Sequence, residues 1–370
     1  MKVGILKEIK DKENRVSMTP AGVMAMCAKG HQVLVETNAG VGAGFPDAEY
    51  VSAGASMASS DDIFSQCEMV MHVKEPQPSE YGKLRKDQIL FTYLHLAADE
   101  PQTKALMAAG NVNIAYETIQ KDDGSLPLLT PMSEVAGRMA IQQAAKYLEG
   151  PAGGMGKLIG GVPGVEPATV VVIGGGVVGL NAAKMACGLG AQVYLLDMNL
   201  DRLRYLNDVM PANCVTLMSG PYTIRKLLPQ ADVVVGAVLI PGAKAPHLIS
   251  REDLKLMRKG SILVDVAIDQ GGCFETSKAT THTHPTYEVD GVQHYCVANI
   301  PGAVAITSTL ALTNATLPYA LRIAGMGWKE ACRTCCDIKK GLNVVEGKIT
   351  YAAVAEAFGL PCTSVDEVLS

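Results

Sequence analysis

The stretch TVVVIGGGVVGLNAAKMACGLGAQVYLLD, residues 169–197, decides the fold. TVVVI predicts a buried strand, six residues fit the spacing GxGxxG, an apolar-periodic segment reads as a helix, and AQVYLLD reads as a second strand closed by an acid. Each glycine has a physical task in a dinucleotide-binding turn. Gly174 permits the tight turn, Gly176 lets the backbone approach a pyrophosphate, and Gly179 lets helix and strand pack closely. The helix beginning near Val177 and Val178 offers unpaired N–H groups and a partial positive charge to phosphates. Asp197, 18 residues beyond Gly179, stands where an acid binds ribose hydroxyls and repels a 2′-phosphate, favouring NAD over NADP. Arg202 and Arg204 nearby pull the other way. The competing reading is an ordinary glycine turn with a solvated aspartate.

Outward from this turn, short apolar runs alternate with amphipathic segments, the rhythm of parallel βα units. Strands are expected at 2–6, 32–36, 68–73, 88–94 and 112–115, then at 169–173, 192–196, 232–235, 261–267 and near 293–297. Thr19-Pro20 and Pro101 mark helix starts. A long helical pattern covers 132–148, and the Gly/Pro-rich GGMGKLIGGVPGVEP behind it reads as a boundary loop. Beyond Pro301 the pattern reads as helical to the end. These elements predict an α/β protein with two Rossmann-like doubly wound domains joined by long helices. Residues 1–128 with 306–370 form a discontinuous substrate domain, and residues 129–305 a dinucleotide domain.

Composition narrows the function. The chain has 370 residues, 37 acids against 32 bases and a net charge of −5, so no nucleic-acid partner is expected. The most apolar stretch noted, 169–180, is too short to span a bilayer, so no membrane association is expected. The N-terminus is too charged for a secretory signal and the ten cysteines are scattered, which together point to the cytoplasm. Cys332, Cys335 and Cys336 read as one face of a helix rather than a zinc site. His282, His284 and His294 lie in or near a loop without helical spacing, so no metal is expected.

Ligands of open parallel sheets bind beyond the carboxyl ends of the strands. Lys74, His95 and Asp269 each follow an apolar run, and Arg15 lies in the first βα connection, so all four are candidates for one reacting site. Each has a structural alternative: Lys74 as a surface residue before the Pro76–Pro78 turn, His95 as a satisfied strand cap, Asp269 as a turn cap before Gly271-Gly272, and Arg15 as a solvated member of the charged 10–15 segment. Asp265, inside its strand, reads as a buried, hydrogen-bonded structural group.

With these residues assembled, the sequence resembles the NAD-dependent alanine dehydrogenase/transhydrogenase NAD-binding family over essentially its whole length. The resemblance rests on MKVGILKEIKDKENRVSMTPAGV, VKEPQPSEY, LFTYLHLAAD, PMSEVAGRMA, VVIGGGVVGLNAAKMA, VDVAIDQGGC, THTHPTYEVDGVQHYCVANIPGAV and TSTLALTNATLPY. It implies that Arg15 and Lys74 hold the substrate carboxylate and carbonyl and that His95 and Asp269 form the acid/base pair. It further implies NAD contacts from Ser133, Asp197, Arg202, Ser219, Val238, Leu239, Ile268, Asp269, Lys278, Val297, Ala298, Asn299 and Ile300. Lys278 stands where relatives often carry arginine, and AITST follows NIPGAV where they usually carry a proline and a basic residue. The resemblance implies reversible oxidative deamination of L-alanine to pyruvate and ammonia, with NAD as cofactor, by a homo-oligomer, commonly a hexamer. Competing readings are the NAD-binding component of a proton-translocating transhydrogenase, a saccharopine-type dehydrogenase and a non-catalytic NAD-binding protein.

Overall fold

The computed structural model describes residues 1–238 and 246–370 of the chain, and the side chain of Gln270 is left aside. It divides into two compact units, Met1–Met132 with Val304–Ser370, and Ser133–Ala303. The first division falls in the opening turn of the helix Thr130–Tyr147. The Gly/Pro-rich stretch after that helix, expected to mark the boundary, lies inside the second unit, where Gly156 N donates to Leu148 O and Met155 N to Gly260 O.

In the first unit, strands β1 (Lys2–Ile5), β2 (Gln32–Glu36), β3 (Ser56–Ala58), β4 (Met69–Met71), β5 (Ile89–Thr92) and β6 (Val112–Ala115) run parallel in the order β3-β2-β1-β4-β5-β6. β4, β5 and β6 are buried at every position, as strands covered on both faces must be. Helices connect them with the expected caps. Thr19 accepts from Gly22 N ahead of Pro20, and Asp99 accepts from Gln102 N ahead of Pro101.

In the second unit, β7 (Thr169–Ile173), β8 (Gln192–Asp197), β9 (Cys214–Met218), β10 (Val233–Gly236) and β11 (Ile262–Asp265) are followed by the hairpin β12 (Thr286–Val289) and β13 (Val292–Tyr295). The order is β12-β13-β11-β10-β7-β8-β9, and only β12 runs antiparallel. Val170 through Ile173 are fully buried; each such side chain contributes about 1.5–3 kcal/mol of burial. Phe274, Leu263 and Ile249 complete the core on one face of this sheet.

The C-terminal region departs from the helical expectation. The helix Ala305–Thr334 is interrupted at Gly327 (φ 77°, ψ 159°) and ends before Cys335, and a short helix Cys336–Lys340 follows. The chain then forms β14 (Leu342–Val345) and β15 (Lys348–Ile349), an antiparallel pair that extends the first sheet from β6. The sequence pattern missed this hairpin because its strands are short and flanked by helical periodicity. By length and composition, the segment Ile300–Thr334 is apolar enough to cross a membrane, although its apolar residues are interrupted by polar ones. Core helices meet the same criterion, and Ser308, Thr309, Thr313 and Thr316 are buried along it.

Candidate active site

The first sheet changes winding direction between β1 and β4, and the residues singled out there lie just beyond the carboxyl ends of neighbouring strands. Arg15, expected to be solvated if the charge crowding of 10–15 decided its place, is instead 2% exposed. Its Nε and Nη2 donate to Glu13 Oε1 and Oε2 at 2.7 and 2.6 Å, a planar fork meeting a carboxylate. Nη1 reaches Met132 Sδ at 3.1 Å. Burial alone would lower the Arg15 pKa, but the Glu13 carboxylate more than compensates and raises it. A buried, permanently cationic guanidinium fixed in this way is suited to a carboxylate ligand.

Lys74 is half-buried at the end of β4. Its backbone is held from two sides: Lys74 N donates to Glu8 Oε2 at 3.3 Å, and Thr92 Oγ1 donates to Lys74 O at 2.9 Å. His95 follows β5 and is 47% exposed by side chain. It sits in the left-handed region (φ 51°, ψ 36°), a conformation that costs on the order of 1 kcal/mol and clusters at functional sites. The conformation is over-determined. Glu117, just beyond β6, accepts from Leu94 N at 3.1 Å and from His95 N at 2.5 Å. Its Oε1 lies 3.9 Å from His95 Nδ1, and the Tyr93 ring stacks on the imidazole with centroids 5.9 Å apart. Tyr93 is itself anchored by its hydroxyl to Leu128 O, and burial pushes its pKa well up, so it remains a neutral donor. Glu8, Glu13, Glu117 and Tyr93 were not singled out in the sequence. The signal that finds the two outer carboxylates is positional: Glu8 and Glu117 also follow strands directly.

In the second unit, the order β9-β8-β7-β10-β11-β13 places its switch point between β7 and β10. Gly174 has φ +104°, and a Cβ there would meet Ala237 O of the neighbouring strand end at 2.6 Å. A Cβ at Gly179 would overlap Gly174 O, whereas one at Gly176 would project into open space. That pattern is what a pyrophosphate cradle needs: two glycines demanded by the protein, and one that leaves room for a ligand. The helix Val177–Gly188 begins directly behind it. Asp197 is half-buried, with Oδ2 accepting from Gly175 N at 2.7 Å and Oδ1 from Asn199 N at 2.8 Å. Arg202 Nε donates to Gly175 O at 2.7 Å, and Ser219 N to Asp197 O at 2.9 Å. Gly174–Gly179, Asp197, Arg202 and Ser219 are thus brought together. Ser133 lies one helical turn before Gly137, where a Cβ would overlap Val178 O, and is half-buried.

The remaining candidates of this unit also follow strands. Val238 is half-buried behind β10, and Leu239 lies outside the described residues. Ile268 is buried and Asp269 exposed in the short turn Ile268–Gln270 behind β11. That turn is held from below by Asp265, fully buried, which accepts from Ala267 N at 3.1 Å, Cys273 N at 2.7 Å and Ser277 Oγ. Lys278 is exposed, and its N–H donates to the Tyr287 hydroxyl at 2.7 Å. Val297, Ala298, Asn299 and Ile300 follow β13, and Asn299 has φ +62°. His282 Nε2 lies 3.1 Å from Asn299 O, and His294 is fully buried with Thr276 Oγ1 2.7 Å from its Nε2. Among the described residues, no group of three or more His, Cys, Asp or Glu is placed to hold a metal. The structure therefore sets Arg15, Lys74 and His95 in the first unit and Asp269 with the dinucleotide residues in the second.

Residues 4–136 match the family model described as alanine dehydrogenase/PNT, N-terminal domain, and residues 140–352, which run past the second unit into the C-terminal part of the first, match its C-terminal domain. A protein of Methanococcus maripaludis named alanine dehydrogenase is 56% identical, with 100% of both chains covered. A solved structure titled L-alanine dehydrogenase superposes with a TM-score of 0.94 at 51% identity, covering 97% of this chain and 99% of that one. A transhydrogenase from Sinorhizobium meliloti follows at 0.80 and 25% identity, covering 95% and 100%. On matches that take in both units at this identity, the chain belongs to the alanine dehydrogenase/PNT family.

Proposed function

We propose that this chain catalyses the reversible NAD-dependent oxidative deamination of L-alanine to pyruvate and ammonia. The observation that carries the reading is the coexistence, on one member of the family, of a glycine turn suited to a pyrophosphate at Gly174–Gly179 with Arg15, Lys74 and His95 beyond the ends of β1, β4 and β5. When bound, NAD supplies the hydride acceptor for the substrate α-carbon. Its phosphates would lie on Gly174–Gly179 and the helix starting at Val177, with Asp197 on the ribose and Ser133, Arg202, Ser219, Val238, Leu239, Ile268, Lys278 and Val297–Ile300 around it. Arg15 holds the substrate carboxylate through its planar donors. Lys74 polarises the carbonyl oxygen that develops as water adds and ammonia leaves. His95 moves the protons at nitrogen and oxygen, a task for an imidazole, whose ordinary pKa of ~6.5 lies near neutrality. Asp269 orients the water and stabilises the cationic nitrogen.

The test is NADH formation in alkaline buffer from NAD and a panel of L-amino acids. Strong formation with L-alanine, reversed by pyruvate with ammonia, is the expected result; no turnover with any amino acid despite measurable NAD binding would overturn it. The active form is further proposed to be a cytoplasmic homohexamer with neither nucleic-acid nor membrane partner. The exposed apolar side chains Ile306, Leu310 and Met326 of the long C-terminal helix support subunit contacts. Light scattering would check this, with a mass six times that of the chain expected.

A further inference from the structure

Lys74 is not held by its strand alone. The segment behind it returns to a single buried ring, that of His72, the first residue beyond β4 and 1% exposed. His72 Nδ1 lies 3.2 Å from Glu8 Oε1, and Nε2 lies 3.4 Å from Glu80 Oε1, an ionic approach without hydrogen-bond geometry. Both carboxylates are buried, at 7% and 4% exposure. A neutral imidazole has one N–H and one lone pair, so whichever tautomer it took it would leave a lone pair within 3.4 Å of a buried carboxylate oxygen. Only the imidazolium donates to Glu8 and at the same time sets a positive charge beside Glu80. The charged groups that bear on the ring are Glu8 from the segment after β1 and Glu80 from the turn, with Glu36 at the end of β2 felt more remotely. Burial alone would depress the His72 pKa, but Glu8 and Glu80 outweigh it and push it up to about 10.

The same two carboxylates define the loop that carries Lys74. Glu8 accepts from Val73 N at 2.6 Å and from Lys74 N at 3.3 Å, at the start of the loop. Glu80 accepts from Gln77 N at 2.8 Å, near its end. Pro76 and Pro78 restrict the backbone between them. We propose that His72 is a positioning residue for Lys74, its imidazolium tying the carboxylate that grips the Lys74 backbone to the carboxylate that closes the same loop. The role rests on the assignment of Lys74 to the substrate carbonyl made under the proposed function.

Two measurements test it. In His72→Gln, the pyruvate KM should rise about tenfold or more, since small displacements of a substrate-holding group are costly, while the KM for NADH stays within about twofold. Glu80→Gln, which keeps the ring and the Glu8 contact, should raise the pyruvate KM in the same direction by less. A drop in thermal stability with an unchanged pyruvate KM in both variants would overturn the proposal, leaving His72 a structural ion only. Because His72→Gln is a core substitution, the unsubstituted protein supplies the second arm. Solid-state 15N spectra of the histidine-labelled chain at about pH 8.5 should retain one imidazolium signal, and its absence would overturn the proposal without any variant. If the unsubstituted protein itself turned over neither alanine nor pyruvate, the function reading would fall and take the role of Lys74 with it, an outcome distinct from a silent variant.

Discussion

The two sheets share one strand order through their parallel strands, β3-β2-β1-β4-β5-β6 in the first unit and β9-β8-β7-β10-β11-β13 in the second, yet their switch points are furnished in opposite ways. In the second unit the helix starts at Val177, directly behind Ile173 and the glycine turn. A Cβ at Gly176 would meet open space there, and a helix N-terminus offers its backbone N–H groups to a ligand. In the first unit β1 ends at Ile5 and the next helix waits until Pro20. That longer connection carries Glu8, Glu13 and Arg15, all buried, and fills the corresponding space with paired charges. The topology fixes where a ligand binds, and the length and chemistry of one connection decide what binds there. A backbone cradle suits a phosphate ester common to many cofactors. A set of buried, oriented side chains suits one small acid.

Substitutions that hit one switch point and spare the other can break this comparison. The largest effect is expected for His95→Ala, which should lower turnover about 10²–10⁴-fold, the range of a lost general acid–base, while NADH binding followed by fluorescence is unchanged. A parallel loss of NADH affinity would show that the two sites are not separable. Gly179→Ala is the mirror experiment. Its Cβ would overlap Gly174 O, so we expect about 1–3 kcal/mol of destabilisation together with lost NADH binding, measured by thermal melting and titration calorimetry. Asp197→Ala should raise the KM for NAD about tenfold and narrow its advantage over NADP; unchanged kinetics with both would remove Asp197 from the ribose. Glu117→Gln sharpens the first-unit half: weaker acceptance from Leu94 and His95 N–H should lower turnover several-fold, roughly 1 kcal/mol, with the KM for NAD unmoved. The smallest effect is one of pH. The pKa of His72 is raised in the folded state, so its stabilisation is complete below the unfolded value of ~6.5. It is lost as pH rises through about 10. Urea midpoints of the intact chain should fall over that interval, and the fall should be absent in His72→Gln.

Much of this was legible in the sequence where several signals coincided. The strands Gln32–Glu36, Val112–Ala115 and Thr169–Ile173 fall where their apolar side chains predict, because each buries its Val, Leu or Ile residues against the core. β3, β9, β12 and the pair β14–β15 escaped. They are short or lie towards sheet edges, and β9 has no fully buried position, so no run announces it. The glycine turn was legible because its residues are dictated one by one by sterics. The anchors of the reacting residues were not: Glu8, Glu117 and His72 read as ordinary polar residues until neighbouring strands are aligned. Asp265 was the exception, since an acid inside an apolar strand has few ways to be satisfied, and the structure gives it three donors.

The late hairpin has a consequence for how the molecule comes into being. β14 pairs with β6 through residues such as Asn113 and Val344, 231 positions apart in sequence. During synthesis, the second unit is a continuous segment and can complete its sheet as soon as it clears the ribosome. The first unit cannot: β6 leaves the ribosome early and keeps an open edge, Val112 to Ala115, until the last segment of the chain arrives. An unpaired edge carrying Val112, Ile114 and Ala115 is the form most open to pairing with another chain. The nascent protein therefore spends much of its synthesis as a finished second unit attached to an unfinished first unit, and this interval is where demand for chaperones and loss to aggregation should concentrate.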